Sequence, residues 1–198
     1  MTLKRTVLLV LIGQLVIAAL AVNNYGFTLE GLQATTRFSG RLSLAIFSVL
    51  FIFLPRNREK LASYFSTQPF HIFAIAHGIH LAELLTYVYL SKVDLIPIRL
   101  AGGFLAYLFI FAMPVVQYYF EKGKLTQKRF SIAENVYLYY VWFIFFMSYL
   151  PRVQGKLPNA GGNYWEFVVL LCWVCMLLGM KLTSMLNFKK PNKFISTN

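Results

Sequence analysis

Two histidines and a glutamate lie within one short apolar stretch, and these residues are the best suited to chemistry. They are His77, His80 and Glu83, and Tyr87 follows four positions later. A neutral imidazole can bind iron or another metal, and a helix fixes its direction. Ionisable side chains inside a membrane span are costly and usually face the interior of the bundle. The cluster therefore predicts either a haem or metal site, or hydrogen bonds between neighbouring helices.

The same cluster is also typical of a proton relay in a membrane transporter. Against a transporter, the sequence contains no internal repeat, whereas many secondary transporters are built from repeated halves. The spacing of the polar residues does not by itself decide between these alternatives.

The elements that must position this cluster are membrane-spanning helices. Hydrophobic residues make up 58% of the 198 residues and aromatic residues 17%, and the mean hydropathy is +0.60, which excludes an ordinary soluble domain. Six apolar runs are bounded by charges, Pro or Gly. We predict an all-α integral membrane bundle that forms one domain over residues 1–198. The spans fall at about 6–22, 39–54, 70–91, 97–120, 133–150 and 164–187.

The basic residues predict how these spans are oriented. The chain has 19 Lys and Arg against 7 Asp and Glu, but they lie between apolar runs and form no surface suited to nucleic acid. Thirteen of them fall on one side of the predicted membrane, so both termini should be cytoplasmic in a multi-pass protein of the inner (plasma) membrane, with the lipid bilayer as partner. These are Lys4, Arg5, Arg56, Arg58, Lys60, Lys122, Lys124, Lys128, Arg129, Lys181, Lys189, Lys190 and Lys193.

The first run has a second interpretation. Lys4 and Arg5, an apolar stretch and the small residues near Ala21 also fit a secretory signal with its cleavage site. We expect a span, because the apolar stretch is longer than the roughly 7–15 residues of a signal core. Cleavage would leave five spans and the same carboxyl-terminal side.

Three further motifs have structural interpretations. Ser131 and Glu134 have the spacing of a capping box, and Asn163 with Glu166 is a looser version. We therefore expect Glu134 to cap a helix. Cys172-Trp-Val-Cys175 has CxxC spacing, but it lies in an uninterrupted apolar run, so we expect both cysteines to pack inside the bundle.

The order of these features resembles the ferric reductase-like transmembrane family. Ser39-Gly40-Arg41 and Pro55-Arg56 are similar to the opening and close of a span in that family. The segment from Phe73 to His80-Leu81 resembles its haem-ligand helix, Gly102-Gly103 opens a fourth helix, and Val136-Tyr137-Leu138 resembles the start of the next. The resemblance covers about residues 36–180.

The resemblance implies haem b, held in family members between histidines of the third and fifth helices. Here the corresponding fifth-helix positions are Ala133 and Phe146, and no histidine follows His80. A bound haem would therefore use His80, or His77 as the alternative, with a non-histidine second ligand or none. Electrons would come from a separate membrane or soluble redox partner protein. The other hypothesis is a haem-less scaffold or accessory subunit of a membrane complex.

Overall fold

A computed structural model describes residues 3–92, 97–157 and 161–187 of the chain. The described residues form an all-α bundle without strands. Six of the helices are long and apolar enough to cross a bilayer, so the chain is a multi-pass membrane protein. The helices are α1 (Leu3–Tyr25), α2 (Leu29–Phe53), α3 (Arg58–Tyr64), α4 (Pro69–Ser91), α5 (Pro97–Glu121), α6 (Gln127–Val153) and α7 (Tyr164–Asn187).

The long helices alternate in direction, which defines two ends of the bundle. The start of α1, the short helix α3 and the connection between α5 and α6 lie at one end, here called the terminal end. The ends of α1, α4 and α6 and the starts of α2, α5 and α7 lie at the opposite, distal end.

Helix α2 lies at the centre of the bundle, in contact with α1, α4, α6 and α7. In an 18-residue apolar stretch of α2, 50% of the residues are buried, against 22% in the corresponding stretches of α1 and α7. Polar residues are tolerated there because their hydroxyls donate to carbonyls of the same helix. Thr35 and Thr36 each donate to the carbonyl four residues earlier at 2.9 Å, and Ser48 does so at 2.7 Å.

Aromatic rings fill the space around α2. The ring of Phe47 lies 5.6 Å from that of Phe51, 5.5 Å from Phe73 on α4 and 5.3 Å from Phe145 on α6, measured between centroids. These separations fall within the range of favourable aromatic pairs. The ring of Phe47 thus packs against both α4 and α6, so these two helices and α2, which surround the polar cluster, share one aromatic core.

Six long apolar helices correspond to the six predicted spans, and two of these helices begin well before the predicted span does. Helix α2 begins at Leu29 rather than at 39, and Thr35, Thr36 and Ser39 in its first half are buried in the bundle. Helix α6 begins at Gln127, where the Thr126 hydroxyl accepts from the Arg129 amide at 3.4 Å. The short helix α3 has no counterpart among the predictions.

The prediction that Glu134 caps a helix is wrong. Glu134 lies inside α6, is 1% exposed and forms an ion pair with Arg58 of α3. The looser box is confirmed, since the Trp165 amide donates to Asn163 at 2.9 Å and the Asn163 amide donates to Glu166 at 3.4 Å.

The prediction that the two cysteines pack inside the bundle is also wrong. Cys172 and Cys175 are both exposed on the outer surface of α7. Nearly every residue of this helix is apolar, so its composition does not mark which side packs against protein and which side faces lipid.

Candidate functional site

A cavity of about 240 Å³ lies beside α2 and is enclosed mainly by α4, α5 and α6. It is slightly smaller than the roughly 300–1,000 Å³ of ordinary ligand pockets. Aromatic and aliphatic side chains form most of its wall, with two imidazoles inside and three arginines towards the distal end. It is lined by Thr36, Arg37, Gly40, Arg41, His77, His80, Leu84, Gly103, Ala106, Tyr107, Ile110, Val141, Ile144, Phe145, Ser148, Tyr149, Arg152 and Phe167.

His80 is held by a chain of hydrogen bonds that connects α4 to α2. The hydroxyl of Ser39 lies 3.1 Å from His80 Nδ1 and donates to the carboxylate of Glu83. A hydroxyl has one proton, so when Ser39 donates to Glu83 its oxygen accepts from an Nδ1–H of His80. In this tautomer His80 Nε2 carries a lone pair.

The ring of His80 lies directly against Gly40 of α2. A methyl group added at Gly40 would come within 3.0 Å of His80 Cε1 and 3.5 Å of Nε2. Such an approach is tighter than side chains normally tolerate, so glycine at position 40 allows the imidazole to lie close against the central helix.

His77 is held by aromatic rings. It stacks on Phe73 at 5.2 Å and on Tyr107 at 5.0 Å, and the ring of Phe145 meets it edge-on at 5.8 Å, between centroids. The rings of His77 and His80 are 5.2 Å apart. Nδ1 of His77 is buried and has no hydrogen-bond partner among the described residues.

The structure thus brings together three of the four predicted polar residues. His77 and His80 line the cavity, and Glu83 reaches His80 through Ser39. Tyr87 does not line the cavity, and its hydroxyl accepts a 2.9 Å hydrogen bond from Gln33 on α2.

Helix α6 forms the wall opposite the histidines. Its lining residues recur at the spacing of one helical face, from Val141 through Phe145 and Ser148 to Arg152. Ala133 and Phe146, which the resemblance matched to the family's ligand positions, do not line the cavity. Phe146 lies on another side of α6, where it stacks on Trp142 at 5.7 Å.

Several site residues were not predicted from the sequence. Ser39 was missed because it lies 44 positions before Glu83, and no sequence spacing predicts a contact over that distance. Tyr107 and Phe145 belong to aromatic-rich helices in which many rings have the same local pattern. Arg41 forms a 2.6 Å ion pair with Glu166, which lies 125 positions later in the chain, so no local pattern predicts the contact.

The residues of the cavity do not fit a bis-histidine haem, and a volume of about 240 Å³ is small for so large a cofactor. His80 supplies an imidazole oriented through its other nitrogen, as is usual for metal-ligating histidines. The α6 wall carries hydrocarbon side chains, Ser148 and Tyr149 where a second histidine would be needed. Within the described part of the chain, no three His, Cys, Asp or Glu side chains group together as metal ligands would.

Comparisons with protein-family models, with curated proteins and with solved structures find no match to this chain. The resemblance to the ferric reductase-like family therefore stays a prediction.

Proposed function

We propose that this chain is a membrane electron-transfer protein of ferric reductase-like type that binds haem b through His80. In this proposal it lies in the inner (plasma) membrane with both termini cytoplasmic, and a separate partner protein supplies the electrons. The observation that carries the proposal is the pair of hydrogen bonds by which Ser39 links Glu83 to His80. It orients one imidazole through Nδ1 and, in the tautomer with the proton on Nδ1, leaves a lone pair on Nε2.

The chain's own residues have distinct parts in this proposal. Glu83 and Ser39 keep the proton of His80 on Nδ1, and the missing side chain of Gly40 leaves room for the ring. Tyr107, Ile110, Val141 and Phe145 give the site apolar walls that exclude water. A bound haem would supply one-electron exchange.

A second candidate function is a haem-less scaffold or accessory subunit of a membrane complex. Two observations favour it. The His77 ring stacks on both Phe73 and Tyr107, so packing alone explains its position. The cavity is also small for a large planar cofactor.

An absorption spectrum tests the proposal. We expect protein purified in neutral detergent, from cells supplied with haem, to have a Soret band that shifts on reduction. His80→Ala should abolish this band, and His77→Ala should only shift it. The matched control is His71→Ala, a histidine of the same helix outside the cavity, which should leave the spectrum unchanged.

Two results would overturn this proposal. Equal haem binding after His80→Ala would remove His80 as the ligand. A wild-type protein without any visible band would exclude the redox function and favour the scaffold.

A further inference from the structure

The cavity has a charged distal end and an apolar interior. Arg37 and Arg41 from α2 and Arg152 from α6 line its distal part, whereas Ile110 and Val141 belong to its interior wall. A ligand that matches both parts carries a negative group at one end and an apolar body at the other.

Two of the three arginines are held in place by neighbouring groups. Arg41 donates to Glu166 of α7 at 2.6 Å, so a carboxylate balances its charge. Arg152 donates to the carbonyl of Ser148, and its guanidinium lies 5.6 Å from the centre of the Phe167 ring. Both contacts fix guanidinium groups beside the cavity before any ligand is present.

Arg37 has no carboxylate in direct contact, and Glu166, which pairs with Arg41, interacts with Arg37 only from a greater distance. Its Nε is buried without a hydrogen-bond partner, and no ion pair within 4.0 Å involves it among the described residues. The backbone of Gly161 and Gly162 covers the side chain so closely that a methyl group at Gly161 would collide with the guanidinium. A partly buried cation without a counter-ion in direct contact is unfavourable, and a bound anion would relieve that cost.

We propose that, in protein without haem, the distal part of the cavity binds a small amphipathic anion, whose carboxylate or phosphate pairs with Arg37 and whose apolar body lies along Tyr107 and Phe145. Haem and this anion would compete for the same cavity walls. A guanidinium offers a planar pair of donors that matches both kinds of anion. The source is a carboxylate from solution or the phosphate of an anionic lipid. The cavity volume of about 240 Å³ suits a short chain.

Thermal unfolding and titration calorimetry on the purified protein test this site. The probes are octanoate, with octanol as its neutral counterpart, and phosphatidylglycerol in mixed micelles, with phosphatidylcholine as its counterpart without net charge. We expect an anionic probe, but not its counterpart, to raise the melting temperature. A response to octanoate indicates a soluble carboxylate, and one to phosphatidylglycerol alone indicates a lipid phosphate.

Arg37→Gln should weaken binding of the effective probe roughly tenfold or more, because a charge-assisted hydrogen bond is lost. The matched control is Arg129→Gln, an exposed arginine at the terminal end. If Arg37→Gln does not fold, Gly103→Leu provides a second variant. Gly103 lines the cavity and has open space where its side chain would begin, so leucine should fill the cavity and block the probe.

Equal binding of probe and counterpart, or unchanged affinity in both variants, would overturn the proposal. The presence of a Soret band is a separate measurement, so failure of the anion site and failure of the haem proposal can be told apart.

Discussion

At the residue scale, the hydroxyl of Ser39 connects two side chains of α4 to the central helix. It lies 3.1 Å from His80 Nδ1 and donates to Glu83. Ser43, one turn later on α2, is equally buried, but its hydroxyl oxygen has no hydrogen-bond partner in the described part of the chain. Two serines of similar exposure thus differ in what they contact, and this difference can be tested.

We expect Ser39→Ala to destabilise the protein and Ser43→Ala to leave it nearly unchanged. Hydrogen bonds between membrane helices contribute about 0.6 kcal/mol each, so losing both contacts of Ser39 should cost about 1 kcal/mol. Unfolding in detergent at increasing denaturant concentration measures the difference. Equal destabilisation by the two variants would contradict the assigned hydrogen bonds.

At the scale of the elements, an ion pair joins α3 to α6. Arg58 of α3 is partly exposed, and Glu134 of α6 is buried. The Arg58 side chain is 36% exposed, whereas the Glu134 side chain is 1% exposed. Arg58 also lies 4.9 Å from the centre of the Phe130 ring on α6. These contacts hold the short helix against the bundle at its terminal end.

We expect Glu134→Gln to destabilise the protein by more than the roughly 1 kcal/mol of an exposed pair and less than the roughly 3–5 kcal/mol of a fully buried one. Glutamine keeps the shape of the side chain but removes the charge that balances Arg58. Denaturant unfolding measures the loss, and Glu59→Gln on the exposed side of α3 is the control. A double-mutant cycle with Arg58→Gln that finds no coupling would contradict the pair.

At the scale of the whole molecule, the bundle places its basic residues unevenly. The terminal end carries α3, with Arg58 and Lys60, and the segment between α5 and α6. The distal end carries fewer basic residues, and three of them, Arg37, Arg41 and Arg152, line the cavity. In the topology that we predict, the cavity therefore lies towards the non-cytoplasmic side.

We expect a fluorescent protein fused after residue 198 to be active in the cytoplasm, because 13 of the 19 basic residues belong to that side. A phosphatase that is active only outside the cytoplasm should be active when it is inserted after Gly155, between α6 and α7. The reverse pattern of activities would invert the topology and place the arginines on the cytoplasmic side.

The sequence by itself determined the helical class, the six spans and three of the residues at the site. Lipid accepts only segments whose backbone is satisfied internally, so long apolar runs become helices whatever their neighbours are. Only the tertiary structure decided that Ser39 joins His80 to Glu83, that Arg41 pairs with Glu166, and that Cys172 faces outward. The physical reason is that these contacts depend on how apolar helices rotate and pack against one another, and helices apolar on nearly every side carry little local pattern for that choice.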